Sequence, residues 1–138
     1  MNLNQVTLPT TAALFDATVG FYRAMGFTLI VHSPPRYARF ECPDGEATFS
    51  LHAVEEGGGA LAGAAGNGVL VYFECDDLDA RVARLVGDGF EFQLLPTDQR
   101  WLWREARLVD PSGNALCLFH AGDNRRNPPW RVDADAGA

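Results

Sequence analysis

Hydrophobic and polar positions repeat along this chain with two periods, and the switches between them mark out its elements. Leu3 to Leu8 reads as a short strand closed by Pro9, after which Thr10-Thr11 offers a hydroxyl cap to a helix. In that helix Leu14, Thr18, Phe21, Tyr22 and Met25 fall on one face, and Gly26 supplies the stop. Phe27 to His32, Tyr37 to Cys42 and Ala47 to Val54 then read as three strands, separated by Ser33-Pro34-Pro35 and by Pro43-Asp44-Gly45. After a Gly/Ala-rich stretch at 55–67, the order begins again. Val69 to Cys75 is a strand, Asp76-Asp77 a cap, and Leu78, Val82, Leu85 and Val86 a buried helical stripe ahead of Gly87 and Gly89. Phe90 to Leu95, Leu102 to Val109 and Ala115 to His120 complete the set.

The chain therefore states one βαβββ unit twice. Gly89-Phe90 answers Gly26-Phe27 and Pro111-Ser112-Gly113 answers Pro43-Asp44-Gly45, at an offset of about 65 residues. The expected fold is α+β, with two tandem modules at about 3–54 and 68–120 forming a cupped mixed sheet with helices on its outer face. Residues 1–122 are expected to form a single domain, with 123–138 as a polar tail carrying Trp130.

Composition narrows the function. The chain has 138 residues, 47% of them hydrophobic, which suffices for one core, and a formal charge of −7, which disfavours a phosphate backbone as partner. Three cysteines, Cys42, Cys75 and Cys117, without a C-x-x-C spacing fit reduced thiols and a cytoplasmic location. No apolar run is long enough to cross a bilayer. Phosphate-loop, dinucleotide, zinc-protease and nucleophile-elbow motifs are missing from the sequence.

Alternation then nominates a concave face. Thr48, Ser50 and His52 should lie opposite Phe49, Leu51 and Ala53, sharing their side with Gln5 and Thr7. Tyr37, Arg39 and Glu41 should share one face of their strand, and Leu70, Tyr72 and Glu74 one face of theirs. His52 has the side chain best suited to proton transfer at neutral pH, with Glu74 or Glu41 to orient it or act as base. The plainer reading is that His52 bonds a neighbouring strand and Arg39 pairs with Glu41 or Glu105. Trp101, Trp103, Glu105 and Arg107 alternate onto one side, an aromatic wall beside a carboxylate suited to a planar or cationic guest, or else a salt bridge with tryptophan packing.

The paired modules, Phe21-Tyr22-Arg23 with Gly26-Phe27, and Asp110-Pro111-Ser112-Gly113-Asn114 resemble the vicinal oxygen chelate superfamily, which includes glyoxalase I, bleomycin-resistance proteins and extradiol dioxygenases. The resemblance spans about residues 3 to 120. It implies a homodimer, and metal-ligand positions at Gln5, Ser50, Leu70 and Cys117, which largely lack the family's donors; a two-residue shift would bring in His52 and Glu74. The expectation is a small-molecule-binding protein with no cofactor, acting on neither nucleic acid nor membrane, with Gln5, Arg39, Ser50, Tyr72, Trp101, Trp103 and Cys117 as ligand-binding residues. The alternative is an enzyme of the same superfamily, a lyase, isomerase or dioxygenase, with His52 and Glu74 as its catalytic pair or with a non-standard metal site.

Overall fold

The computed structural model describes residues 1–55 and 69–132. The Gly/Ala-rich stretch, apart from Glu55, and residues 133–138 of the tail lie outside the described residues. The first module runs β1 (Gln5–Thr10), α1 (Phe15–Met25), β2 (Thr28–Ser33), β3 (Tyr37–Glu41) and β4 (Thr48–Ala53). The second runs β5 (Leu70–Glu74), α2 (Leu78–Gly87), β6 (Leu94–Asp98), β7 (Arg104–Val109) and β8 (Ala115–His120), followed by a 3-10 turn at Gly122–Arg125. Each module forms its own four-stranded sheet, in the orders β1-β4-β3-β2 and β5-β8-β7-β6. The α+β fold with two tandem βαβββ modules is thus the observed one. The described residues cluster into two compact units, the first drawn from Met1–Leu70 with Val109–Ala115, the second from Val71–Leu108 with Leu116–Ala138.

In unit 1, β1 runs parallel to β4, and β4, β3 and β2 are antiparallel in turn. β1 is an edge strand, so Pro9 is tolerated inside it, and the strand continues to Thr10 instead of closing at Pro9. The helix accordingly begins later than its sequence cap suggests: Leu14 is the N-cap position, although the Thr11 hydroxyl still accepts the Leu14 N–H at 3.3 Å. Its buried stripe is Phe15, Thr18, Val19, Tyr22 and Met25, with Leu14 left exposed and Phe21 only half-buried. Gly26, at φ 109°, closes the helix in a conformation that a Cβ would strain.

Tyr22 is the centre of this core. Its ring meets Phe49 at 4.7 Å, Phe40 at 5.7 Å and Phe27 at 5.8 Å between centroids, while Phe40 and Phe49 stack at 5.0 Å. Each such pair adds about 0.5–1.5 kcal/mol beyond area burial. The Tyr22 hydroxyl, inside that apolar cluster, donates to Asp110 Oδ2 at 2.6 Å. Asp110 is itself buried, and its carboxylate also accepts the backbone N–H groups of Ser112 and Asn114, each at 2.9 Å, and the Asn114 Nδ2–H at 2.8 Å. Asn114 Nδ2 also donates to Pro9 O at 2.9 Å, and the Ser112 hydroxyl bonds those of Thr10 and Thr18, both at 2.7 Å.

In unit 2 the helical stripe is Leu78, Val82 and Leu85, with Val86 exposed. The sixth strand lies at Leu94–Asp98 and not at Phe90 to Leu95, because Phe90 is used to finish the helix, its N–H donating to Leu85 O at 3.0 Å. β7 starts at Arg104 because Leu102, at φ 69°, is held in a turn by a bond from its N–H to Gln99 O at 3.0 Å.

Replacing Tyr22 with Phe removes a donor from a buried carboxylate and should lower unfolding free energy at neutral pH by about 1.5–3 kcal/mol, measured by urea titration. Burial first, then the Asp110 charge, raises the Tyr22 phenol well above its ordinary value of 10.0. The unfolded chain therefore ionises first, so this contribution is complete below pH 10.0 and is lost as pH rises further. The stability gap between wild type and Tyr22→Phe should narrow above that pH; a constant gap would contradict the assignment.

Candidate functional site

One polar face belongs to the sheet of unit 1. Strand pairing sets Gln5 beside Thr48, Ser50 beside both Thr7 and Arg39, and His52 beside Tyr37, so these side chains share the face opposite Phe40, Phe49 and Leu51. Gln5 Nε2 donates to Ser50 Oγ at 2.7 Å, and the Gln5 carbonyl accepts the Thr48 hydroxyl. The Ser50 and Tyr37 hydroxyls are 2.7 Å apart, and Arg39 Nε donates to the Tyr37 oxygen at 2.9 Å. Arg39 also lies 5.5 Å from the centroid of the Tyr37 ring. Partial burial pushes the Tyr37 phenol up, but the hydrogen bonds from Ser50 and Arg39, with the guanidinium charge, outweigh it and hold the phenol below its usual value.

A different face belongs to the sheet of unit 2. Trp103 stacks on Phe119 at 4.8 Å, and Tyr72 meets both edge-on, at 5.7 Å and 5.4 Å. Phe119 is buried, whereas Tyr72 keeps 41% of its surface exposed, so the cluster offers aromatic surface to solvent. Glu105 is wholly buried beside it. One Glu105 oxygen accepts Trp101 Nε1–H at 2.7 Å and the other accepts Arg107 Nη2–H at 2.9 Å. The carboxylate is thus sealed by its own partners, and it orients Trp101 and Arg107. Arg107 Nε is a buried donor with no partner among the described residues. Burial, followed by the Glu105 charge, raises the Tyr72 phenol.

Several nominated residues take other surroundings. His52 is exposed on β4. Glu74 Oε2 accepts the N–H groups of Ala121 and Gly122 at 2.7 Å and 3.0 Å, while its other oxygen lies 3.8 Å from Arg125 Nε, so this carboxylate serves the start of the 3-10 turn. Tyr37, Glu105 and Arg107 carry more of the two networks than alternation alone indicated. Their signal was present, in Tyr37 two residues before Arg39 and in Glu105 and Arg107 continuing the Trp101-Trp103 face, but which partner each takes depends on the register.

A family model for the Glyoxalase/Bleomycin resistance protein/Dioxygenase superfamily matches residues 3–118. The chain belongs to that superfamily. Solved structures agree at the level of fold. A glyoxalase/bleomycin resistance protein/dioxygenase from Nocardioides shares 23% identity over 96% of this chain and 90% of its own, with a TM-score of 0.70. A bleomycin-binding protein in complex with bleomycin shares 23% over 87% and 98%, at 0.66. Lactoylglutathione lyase from Agrobacterium tumefaciens shares 17% over 86% and 92%, at 0.68. No curated protein matches the chain.

Gln5, Ser50, Leu70 and Cys117, the positions nominated from the resemblance, carry an amide, a hydroxyl, a hydrocarbon and a thiol. The Gln5 amide and the Ser50 hydroxyl are bonded to one another, and Leu70 has no lone pair. Burial, with Glu105 adding to it and Arg107 opposing, pushes the Cys117 thiol up to about 12. Among the described residues, no three His, Cys, Asp or Glu side chains are gathered where they would hold a metal ion.

Cys117 should therefore stay unmodified by iodoacetamide in native protein at pH 8 and react only after denaturation, as read by peptide mass spectrometry. Labelling at the rate of an exposed thiol would contradict the geometry.

Proposed function

We propose that this superfamily member binds a small, planar aromatic organic molecule against the Tyr72–Trp103–Phe119 cluster of unit 2, and that it does so without a divalent metal. The observation that carries this reading is a preformed three-ring cluster in which Tyr72 remains partly exposed. Rings already stacked and wedged lose little conformational entropy when a guest joins them. The partly exposed Arg107 side chain, whose charge acts on Tyr72, adds N–H donors beside the wall and suits a guest carrying an acceptor oxygen or nitrogen near its ring.

A positive charge on the guest is not required. Glu105 is already neutralised by Arg107 and shielded by Trp101, so it works as a fixed strut for those two side chains. The net charge of −7 still favours a neutral or cationic guest over an anionic one at this wall. That one fold neighbour was solved with bleomycin bound makes bleomycin a reasonable first probe.

The metal-free part of the proposal rests on donor chemistry. A hard divalent cation takes oxygen or imidazole donors, whereas Leu70 offers none and Cys117 offers only a soft sulfur whose thiol burial pushes up to about 12. The Gln5 carbonyl, a single neutral oxygen donor, already accepts the Thr48 hydroxyl on one lone pair. Such a set does not fit the ion.

Titration of tryptophan fluorescence with metal-free bleomycin and with neutral acridine should give saturable binding for at least one of them, weakened about tenfold in Trp103→Ala. Glu105→Gln, which releases Arg107, should weaken it as well. Absence of saturable binding to both probes, or unchanged affinity in Trp103→Ala, would sink the proposal. Separately, adding manganese, nickel or zinc to chelator-treated protein should leave the melting temperature unchanged, whereas stoichiometric stabilisation by any of the three would overturn the metal-free reading.

A further inference from the structure

The polar face of unit 1 is a directed hydrogen-bond chain, and its direction can be worked out. Gln5 is fixed in orientation, because its carbonyl accepts from Thr48 while its amide nitrogen donates to Ser50 Oγ and to Val6 O. Ser50 is wholly buried, so its own hydroxyl hydrogen needs a protein acceptor. Gln5 faces it with a donor, which leaves the Tyr37 oxygen at 2.7 Å as the acceptor within reach among the described residues. The opposite polarity would strand a buried hydroxyl hydrogen without an acceptor. Ser50 therefore donates to Tyr37. Arg39 Nε donates to the same oxygen at 2.9 Å.

Tyr37 thus stands at the end of the chain, its oxygen accepting two hydrogen bonds and its own O–H without an acceptor among the described residues. Arg39 is exposed and forms no ion pair among the described residues, although the chain carries 18 acidic side chains against 11 basic ones. Its terminal amino groups have no hydrogen-bond partner among the described residues beyond the Nε bond. The charged or titratable neighbours sharing this face are Glu41, two residues along β3, and His52, across from Tyr37. Both are exposed.

We propose that Tyr37 and Arg39 form a binding site for the carboxylate of a small organic acid, which receives the Tyr37 O–H and the Arg39 terminal N–H groups. Charge assistance makes both bonds stronger than neutral ones. A phenol already polarised by Ser50 and Arg39 is a better donor for the same reason that its ionisation is favoured. A single carboxylate fits better than a phosphate dianion, because a chain of net charge −7 repels the second charge. The residues that form this site lie within unit 1.

Isothermal titration with sodium acetate and sodium benzoate at constant ionic strength, with inorganic phosphate as competitor, tests the assignment. Saturable binding of both carboxylates is expected, at least about tenfold weaker in Tyr37→Phe and in Arg39→Gln and unchanged in Trp103→Ala. A second readout is tyrosinate absorbance at 295 nm. The first tyrosine to ionise should be lost in Tyr37→Phe, and saturating acetate should move its midpoint upward, since a bound anion opposes the phenolate. No saturable carboxylate binding, equal affinity in Tyr37→Phe and Arg39→Gln, or tighter binding of phosphate than of benzoate would overturn it. Binding lost only in Trp103→Ala would assign the carboxylate to the aromatic wall instead, and overturn it equally.

Discussion

A single buried carboxylate governs unit 1. Asp110 has no exposure worth the name, and an ion in that position survives only if its lone pairs are met. Four donors meet them: the Tyr22 hydroxyl, the N–H groups of Ser112 and Asn114, and the Asn114 side-chain amide. Those donors come from a helix in the first half of the sequence and a turn in the second. Satisfying one charge therefore fixes α1, the end of β1 through Pro9, and the 110–114 turn against one another. Tyr22 can serve only because its ring is held by Phe27, Phe40 and Phe49, so the polar bond and the aromatic core support each other.

With α1 covering one side of its sheet, the other side is left to polar chemistry. Period-two alternation puts Phe40, Phe49 and Leu51 inside, and Gln5, Tyr37, Arg39, Thr48 and Ser50 on the far face. The same division recurs in unit 2, where Ala106, Leu108, Leu116 and Leu118 are buried and the neighbouring positions supply Glu105, Arg107, Cys117 and Phe119. Repetition of the module did not repeat the chemistry. One face became a hydrogen-bonded relay ending in a phenol and a guanidinium, the other an aromatic cluster braced by a salt bridge.

Elements were legible where hydrophobic period and punctuation agreed. The βαβββ order, Gly26 as a helix stop and the β3, β4 and β8 strands follow from alternation bounded by glycine and proline. Boundaries shifted where a tertiary partner competed with local preference. Thr10 is an N-cap type residue, yet its hydroxyl bonds Ser112, more than a hundred positions away, and the strand continues through it. Phe90 is β-prone, yet it closes helix α2, and the strand forms farther on, where Arg104 and Arg107 provide its register.

The sequence alone determined which residues share a face, because side-chain direction along a strand follows from local backbone geometry. Its repeated motifs also carried the superfamily resemblance, and a family model matches residues 3–118. Only the tertiary structure decided which members of a face bond one another. Arg39 had Glu41 two residues away and took the Tyr37 hydroxyl; Glu105 took Trp101 and Arg107; Glu74 took two backbone amides. The reason is that hydrogen bonds hold over only about 3 Å, and strand register and the turns between strands set separations on that scale.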